Sequence, residues 1–235
     1  MESRTVGNMK AVMLAVLFGV LASSNSVQKG QDLKVASSET ILMRAAITTP
    51  YRASMTNALT TAFSSAAVSG GIVIIAGCGD DPTYNFRSFG PTLRDALNAI
   101  VAVDNQYVWR LDGYAINVTP QRGPLPLLRS HIRELNIRNA HSVDEALSQT
   151  LNLPELRKRV RELNLTRGFM RTGLSDLARP DGPAVIQSSY NLNLKNVSLQ
   201  QALNAIAQAD GKAVWQYRET RCNAKTEFQI EFLVR

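Results

Sequence analysis

The stretch from Tyr84 to Trp109, YNFRSFGPTLRDALNAIVAVDNQYVW, recurs without a gap 106 residues later, from Tyr190 to Trp215, as YNLNLKNVSLQQALNAIAQADGKAVW. Eleven of the 26 positions are identical, among them Asn98/Asn204, Asp104/Asp210 and the closing Trp109/Trp215. Self-similarity of this kind marks a duplicated structural unit and guides the fold better than any short motif.

Each copy reads as strand, helix, strand. YNLNLKN alternates with the period of 2 of a half-buried strand. Ser198, and Thr92 in the first copy, then offer a side-chain oxygen to the free N–H groups of a helix start. Leu199, Ala202, Leu203, Ile206 and Ala207 recur at helical spacing, as do Leu93, Ala96, Leu97, Ile100 and Val101, so one face of each helix packs on a sheet. Asp104-Asn105 and Asp210-Gly211 suit the reversals that follow, and YVWRL and AVWQY return as strands. A fainter third copy, LNIRNAHSVDEAL from Leu135 to Leu147, runs from an alternating segment into a Ser142 cap and an Ala-Leu helix opening. Asp144 and Glu145 stand in its first turn, where the helix dipole favours negative charge.

This order of strand, cap, x-x-A-L helix and strand resembles the secretin and TonB short N-terminal domain and the related ring-building modules of secretins. The matching segments are Tyr84 to Phe89, Thr92 to Asp104, Tyr107 to Leu111, Ile132 to Asn139 and Ser142 to Leu151, with a half unit over Val185 to Tyr217. The resemblance implies an α+β fold of repeated small βαβ units, with short mixed sheets and helices packed on one face. It also implies a non-enzymatic interaction module of the bacterial cell envelope, which docks to an envelope protein or to copies of itself.

Outside the repeats, Ser54 to Ala67 reads as a helix before the strand Ile72 to Ala76, and Pro154 to Leu165 as a charge-rich helix. Gly168, Gly173, Pro180, Gly182 and Pro183 suit a linker. The expected organisation is therefore a polar lead-in over 25–49, a first module over 50–165, a linker over 166–183 and a smaller module over 184–235. The final strand, FQIEFLV at Phe228 to Val234, is a candidate sheet edge, with Phe228, Ile230, Phe232 and Val234 alternating onto one face.

The chain opens with Arg4 and Lys10, then AVMLAVLFGVLA over Ala11 to Ala22, then small residues. A bilayer span needs about 20 apolar residues. The shorter run with its basic leader fits a signal peptide over 1–24, and the expected location is periplasmic or secreted. Cleavage removes Arg4, Lys10 and Glu2, so the net charge falls from +7 to +6, and leaves no candidate transmembrane segment in the mature chain. In an oxidising compartment Cys78 and Cys222 become a possible disulfide, the alternative being two separate thiols.

Two cysteines and two histidines, with no C-x-x-C or H-E-x-x-H, argue against a structural zinc site or iron–sulfur cluster. GIVIIAGCGDDP, Gly71 to Pro82, places Gly-x-Gly after a strand but lacks the third glycine, and its acidic pair would repel pyrophosphate; it reads as a turn. Asp80 and Asp81 have no third carboxylate at useful spacing for a divalent cation. His131 and His141 read as solvated or capping groups. With neither G-x-S-x-G nor a Walker loop, no catalytic residue and no cofactor is assigned. Trp109 and Trp215, at matching positions, read as packing residues with an aromatic interaction surface as the alternative. Arg157, Lys158, Arg159 and Arg161 form a basic helix face, read as solvated, with an anionic polymer as its alternative partner; nucleic acid is disfavoured because the aromatic interleaving of a single-strand binder is missing. An enzyme or small-ligand site between the modules is the remaining alternative. Asn-x-Ser/Thr sequons stand at Asn117, Asn164 and Asn196.

Overall fold

The continuous apolar run GGIVIIA forms a strand buried on both faces, and the architecture is built around it. The structure, a computed structural model, describes residues 38–44, 51–79, 81–86, 90–123, 125–168, 189–211 and 213–233. The segment 1–24, Asp80, Val234 and most of the expected lead-in and linker lie outside the described residues.

The elements in order are α1 (Ser38–Leu42), β1 (Tyr51–Ser54), α2 (Met55–Ala66), β2 (Gly70–Ala76), β3 (Thr83–Phe86), α3 (Leu93–Ala102), β4 (Tyr107–Asp112) and β5 (Ala115–Pro120). They continue with β6 (His131–Ala140), α4 (Val143–Leu151), α5 (Pro154–Glu162), β7 (Leu165–Arg167), β8 (Tyr190–Ser198), α6 (Leu199–Asp210), β9 (Val214–Cys222) and β10 (Lys225–Leu233). The fold is α+β. Thr92, Ser142 and Ser198 cap α3, α4 and α6 by accepting the N–H of the residue three positions on, and Thr92 and Ser198 complete capping boxes with Asp95 and Gln201.

The order β1-α2-β2-β3-α3-β4-β5 repeats as β6-α4-β7-β8-α6-β9-β10, with α5 inserted before β7. In each repeat the first and fourth of these elements pair as an antiparallel ladder, β1 with β3 and β6 with β8. The remaining strands form matching triplets, β4-β5-β2 and β9-β10-β7, antiparallel then parallel. β2 then pairs parallel with β9 from Gly70/Val214 to Ala76/Thr220, which fuses the triplets into one sheet ordered β4-β5-β2-β9-β10-β7.

Two cores result. Leu59 and Phe63 of α2 and Leu97 and Ile100 of α3 pack on Ile72, Ile74, Ile116, Val118 and Val214. Leu147 of α4 and Leu203 and Ile206 of α6 pack on Val73, Trp215, Tyr217, Phe228, Ile230 and Phe232. Alternate residues of a strand face opposite sides of a sheet. Because Ile72 and Val73 of β2 serve different cores, as do Val214 and Trp215 of β9, the helices of the two repeats lie on opposite faces. A half-turn about the sheet row, with a shift along it, relates the repeats.

Several expectations change. The second repeat begins at β6, so the chain crosses between repeats within 121–130, where Ser130 and Leu128 carbonyls accept the N–H groups of Leu199 and Gln200. The segments read as modules, 50–165 and 184–235, therefore interlock: β2 pairs with β9 in the six-stranded sheet, and β6 pairs with β8 in a separate ladder. The start of the expected linker belongs to the sheet: β7 pairs with β10, and Gly168 N–H donates to Phe228 C=O. Part of the expected polar lead-in is α1, whose Ile41 and Leu42 are buried. The faint third copy is the opening βα of the second repeat.

Candidate interaction surface

The join between the repeats is specific. Gly71 faces Trp215 across the ladder, and the indole lies where a side chain on Gly71 would stand. Ser69 Oγ donates to Ala207 C=O at 3.2 Å. Beyond the end of β2, Arg218 holds Asp81 through two hydrogen bonds of 2.6 and 2.5 Å, which raise the affinity of the guanidinium for its proton. Cys78 and Cys222 are joined by a disulfide with Cα atoms 5.1 Å apart.

The two tryptophans carry the same device. Trp215 Nε1 donates to Asn204 Oδ1 at 2.7 Å, and Trp109 Nε1 to Asn98 Oδ1 at 2.8 Å. Both asparagines are among the repeat identities, the signal by which sequence reasoning could have paired them. Trp215 and Asn204 are buried, whereas Trp109 is half-buried and Asn98 exposed. The difference follows from position in the sheet. β9 is central, and among the described residues β4 ends the sheet. Val103 and Tyr114, two of the exposed large apolar residues, stand just before and just after β4.

The other candidate residues sit elsewhere. Phe228, Ile230 and Phe232 are buried in the core, and β10 is an interior strand between β9 and β7, so the expected terminal edge is corrected. Trp215 is fully buried and presents no surface. Arg157 donates twice to Asn152 C=O, at 3.0 and 2.7 Å, and Arg159 meets Glu162 at 3.1 Å, so these two cations of the basic helix are engaged locally. His131 opens β6 at an exposed position, and His141 follows the strand with its N–H donated to Glu145. Asn117, in a sequon, is buried in β5 with no partner for its amide among the described residues.

Cavities flank Tyr107. β2 pairs with β5 only from Gly70 to Ile72 and then splays away, and Ile75 N–H donates instead to the Tyr107 hydroxyl at 3.3 Å. One cavity, of about 210 Å³, touches Tyr84, Asp104 and Asp81. The other, of about 600 Å³, touches Gln121, Arg122 and Arg221. Burial raises the pKa of Tyr107, and burial with the nearby Asp104, which accepts the Tyr84 hydroxyl at 3.1 Å, pushes Tyr84 up to about 12. Both phenols are neutral at physiological pH, and Asp81 is committed to Arg218. These groups satisfy one another, an arrangement suited to holding the splayed strands.

Among the described residues no group of three or more His, Cys, Asp or Glu side chains is placed to hold a metal ion, and no helix is long and apolar enough to cross a membrane. No family model, curated protein or solved structure matches this chain.

Proposed function

We propose that this protein is an exported, non-enzymatic interaction module of the bacterial cell envelope, similar to the secretin and TonB short N-terminal domains. The observation that carries the reading is the sheet end at β4, which among the described residues pairs on one side only, with β5, and carries a half-buried tryptophan between the exposed apolar residues Val103 and Tyr114. The open side of an edge strand is a template for another chain, and natural proteins cover or charge such edges unless they use them. The Cys78–Cys222 disulfide supports export, since such bonds persist in oxidising compartments. The basic leader and short apolar run supply the address.

Expression of the full chain in a Gram-negative host tests the reading. The expected product is periplasmic, begins near Ser24 to Ser26 by mass spectrometry, has no free thiol, and forms a cross-link to an envelope protein from a photoreactive residue at Arg110 but none from one at Arg157. A full-length, reduced, cytoplasmic product would overturn it.

A further inference from the structure

Among the described residues, the repeats fill one equivalent position in one half and not in the other. In the second repeat the outer side of β9 is occupied by β2, running parallel, with Gly71 beneath the Trp215 indole. In the first repeat the equivalent strand, β4, carries the same tryptophan on the same asparagine, and among the described residues no strand lies beyond it. Its backbone is presented for pairing. Gln121 N–H donates to Gln106 C=O at 2.7 Å, which fixes the side of the strand that faces β5. By the alternation of an antiparallel ladder, the N–H and C=O groups of Trp109 and Leu111 then point outward. The equivalent residues of β9 are Trp215 and Tyr217.

We infer that β4 is a docking edge for an extended apolar segment of a partner protein, which runs parallel to it and sets a glycine against the Trp109 indole. The internal join supplies the chemistry. The occupant of the filled position is GGIVIIA, apolar throughout, and a β-carbon at Gly71 would stand 2.0 Å from Trp215 Cζ2. The Trp109 indole is directed by its bond to Asn98 and packs against the first core, so a larger residue set opposite it would meet the ring, and the slot selects glycine. Main-chain pairing supplies affinity, and the exposed Val103 and Tyr114 lengthen the apolar margin. The inference rests on the interaction reading above and narrows the partner to this strand chemistry.

The full purified chain is titrated with a synthetic peptide copying Ser69 to Ala76, SGGIVIIA, extended by lysines for solubility, and with a second peptide in which the residue matching Gly71 is valine. The expected result is a saturable blue shift of tryptophan emission that is absent in Trp109→Phe, with slowed amide exchange at Trp109 and Leu111 and unchanged exchange in β9. The valine peptide binds about tenfold more weakly or worse, as expected for an overpacked contact. Equal affinity for both peptides, or no slowed exchange in β4 at saturation, overturns the inference. So does concentration-dependent protection of β4 without peptide, which makes a second copy the occupant. The glycine-to-valine change alters only the peptide, so folding of the chain is not at issue. Failure here leaves the export result standing, and a cytoplasmic product leaves the peptide result standing.

Discussion

Gly71 and Trp215 face each other across the β2–β9 ladder so closely that a β-carbon on the glycine would lie 2.0 Å from the indole. The indole has no room to retreat, being fully buried and bonded to Asn204. Gly71→Ala is expected to cost about 3 kcal/mol, the upper part of the range for overpacking. In a Trp215→Leu background the same alanine should cost less than about 1 kcal/mol, and urea unfolding of the four proteins measures the coupling. Equal cost in both backgrounds would show that the contact is not the cause.

The duplicated Trp–Asn bond offers an internal comparison. Asn204→Ala strips a buried indole N–H of its acceptor and should lower stability by about 2 kcal/mol. Asn98→Ala leaves an N–H at the sheet end that water can reach, so its loss should stay within about 0.5 kcal/mol. Denaturant midpoints of the two variants decide the matter, and matched losses would contradict the burial argument.

Reduction of Cys78–Cys222 releases a closure spanning 144 residues of sequence. The chain-entropy model assigns such a loop about 5 kcal/mol. The guanidinium midpoint should fall by a corresponding amount in reductant, and Cys78→Ser with Cys222→Ser should reproduce the fall without reductant.

Alkaline pH should loosen the fold over a defined window. Burial, with the nearby Asp104 carboxylate, pushes Tyr84 up to about 12, and burial, with Asp210 and the first-turn acids of α4, does the same to Tyr190. A raised folded-state pKa means that the fold favours the neutral phenol. The associated stability is fully present below pH 10, the ordinary tyrosine value, and is lost as pH rises through about 12. Thermal midpoints should decline across that interval, and Tyr84→Phe should shallow the decline while removing one late-titrating phenol from the tyrosinate absorbance.

Much of the local structure was legible in the residues themselves. Thr92, Ser142 and Ser198 are caps, and α3, α4 and α6 follow the apolar spacing. β1, β5 and β7 are not predicted by the pattern, since YRAS, AINVTP and LTR hold only 4, 6 and 3 residues. The pattern predicts the charge-rich helix to Leu165, whereas it ends at Glu162 and the chain turns into β7. Of the candidate interaction residues, Trp109 alone lies half-exposed at a sheet end. Phe228, Ile230 and Phe232 alternate as an edge strand would, but the same alternation serves an interior strand with one face on a core.

By itself the sequence determined the repeated unit, its helices and their caps, because periodicity and capping act between residues fewer than about ten apart. The tertiary structure alone decided that β2 enters the second repeat, that the two helix pairs lie on opposite faces, and that of two equivalent tryptophans one is sealed and the other left at an edge. Those outcomes rest on partners such as Gly71 with Trp215 and Asp81 with Arg218, which meet across more than 130 residues. Loop-closure entropy grows only slowly with length, so shape and charge at the contact, not distance along the chain, select the partner.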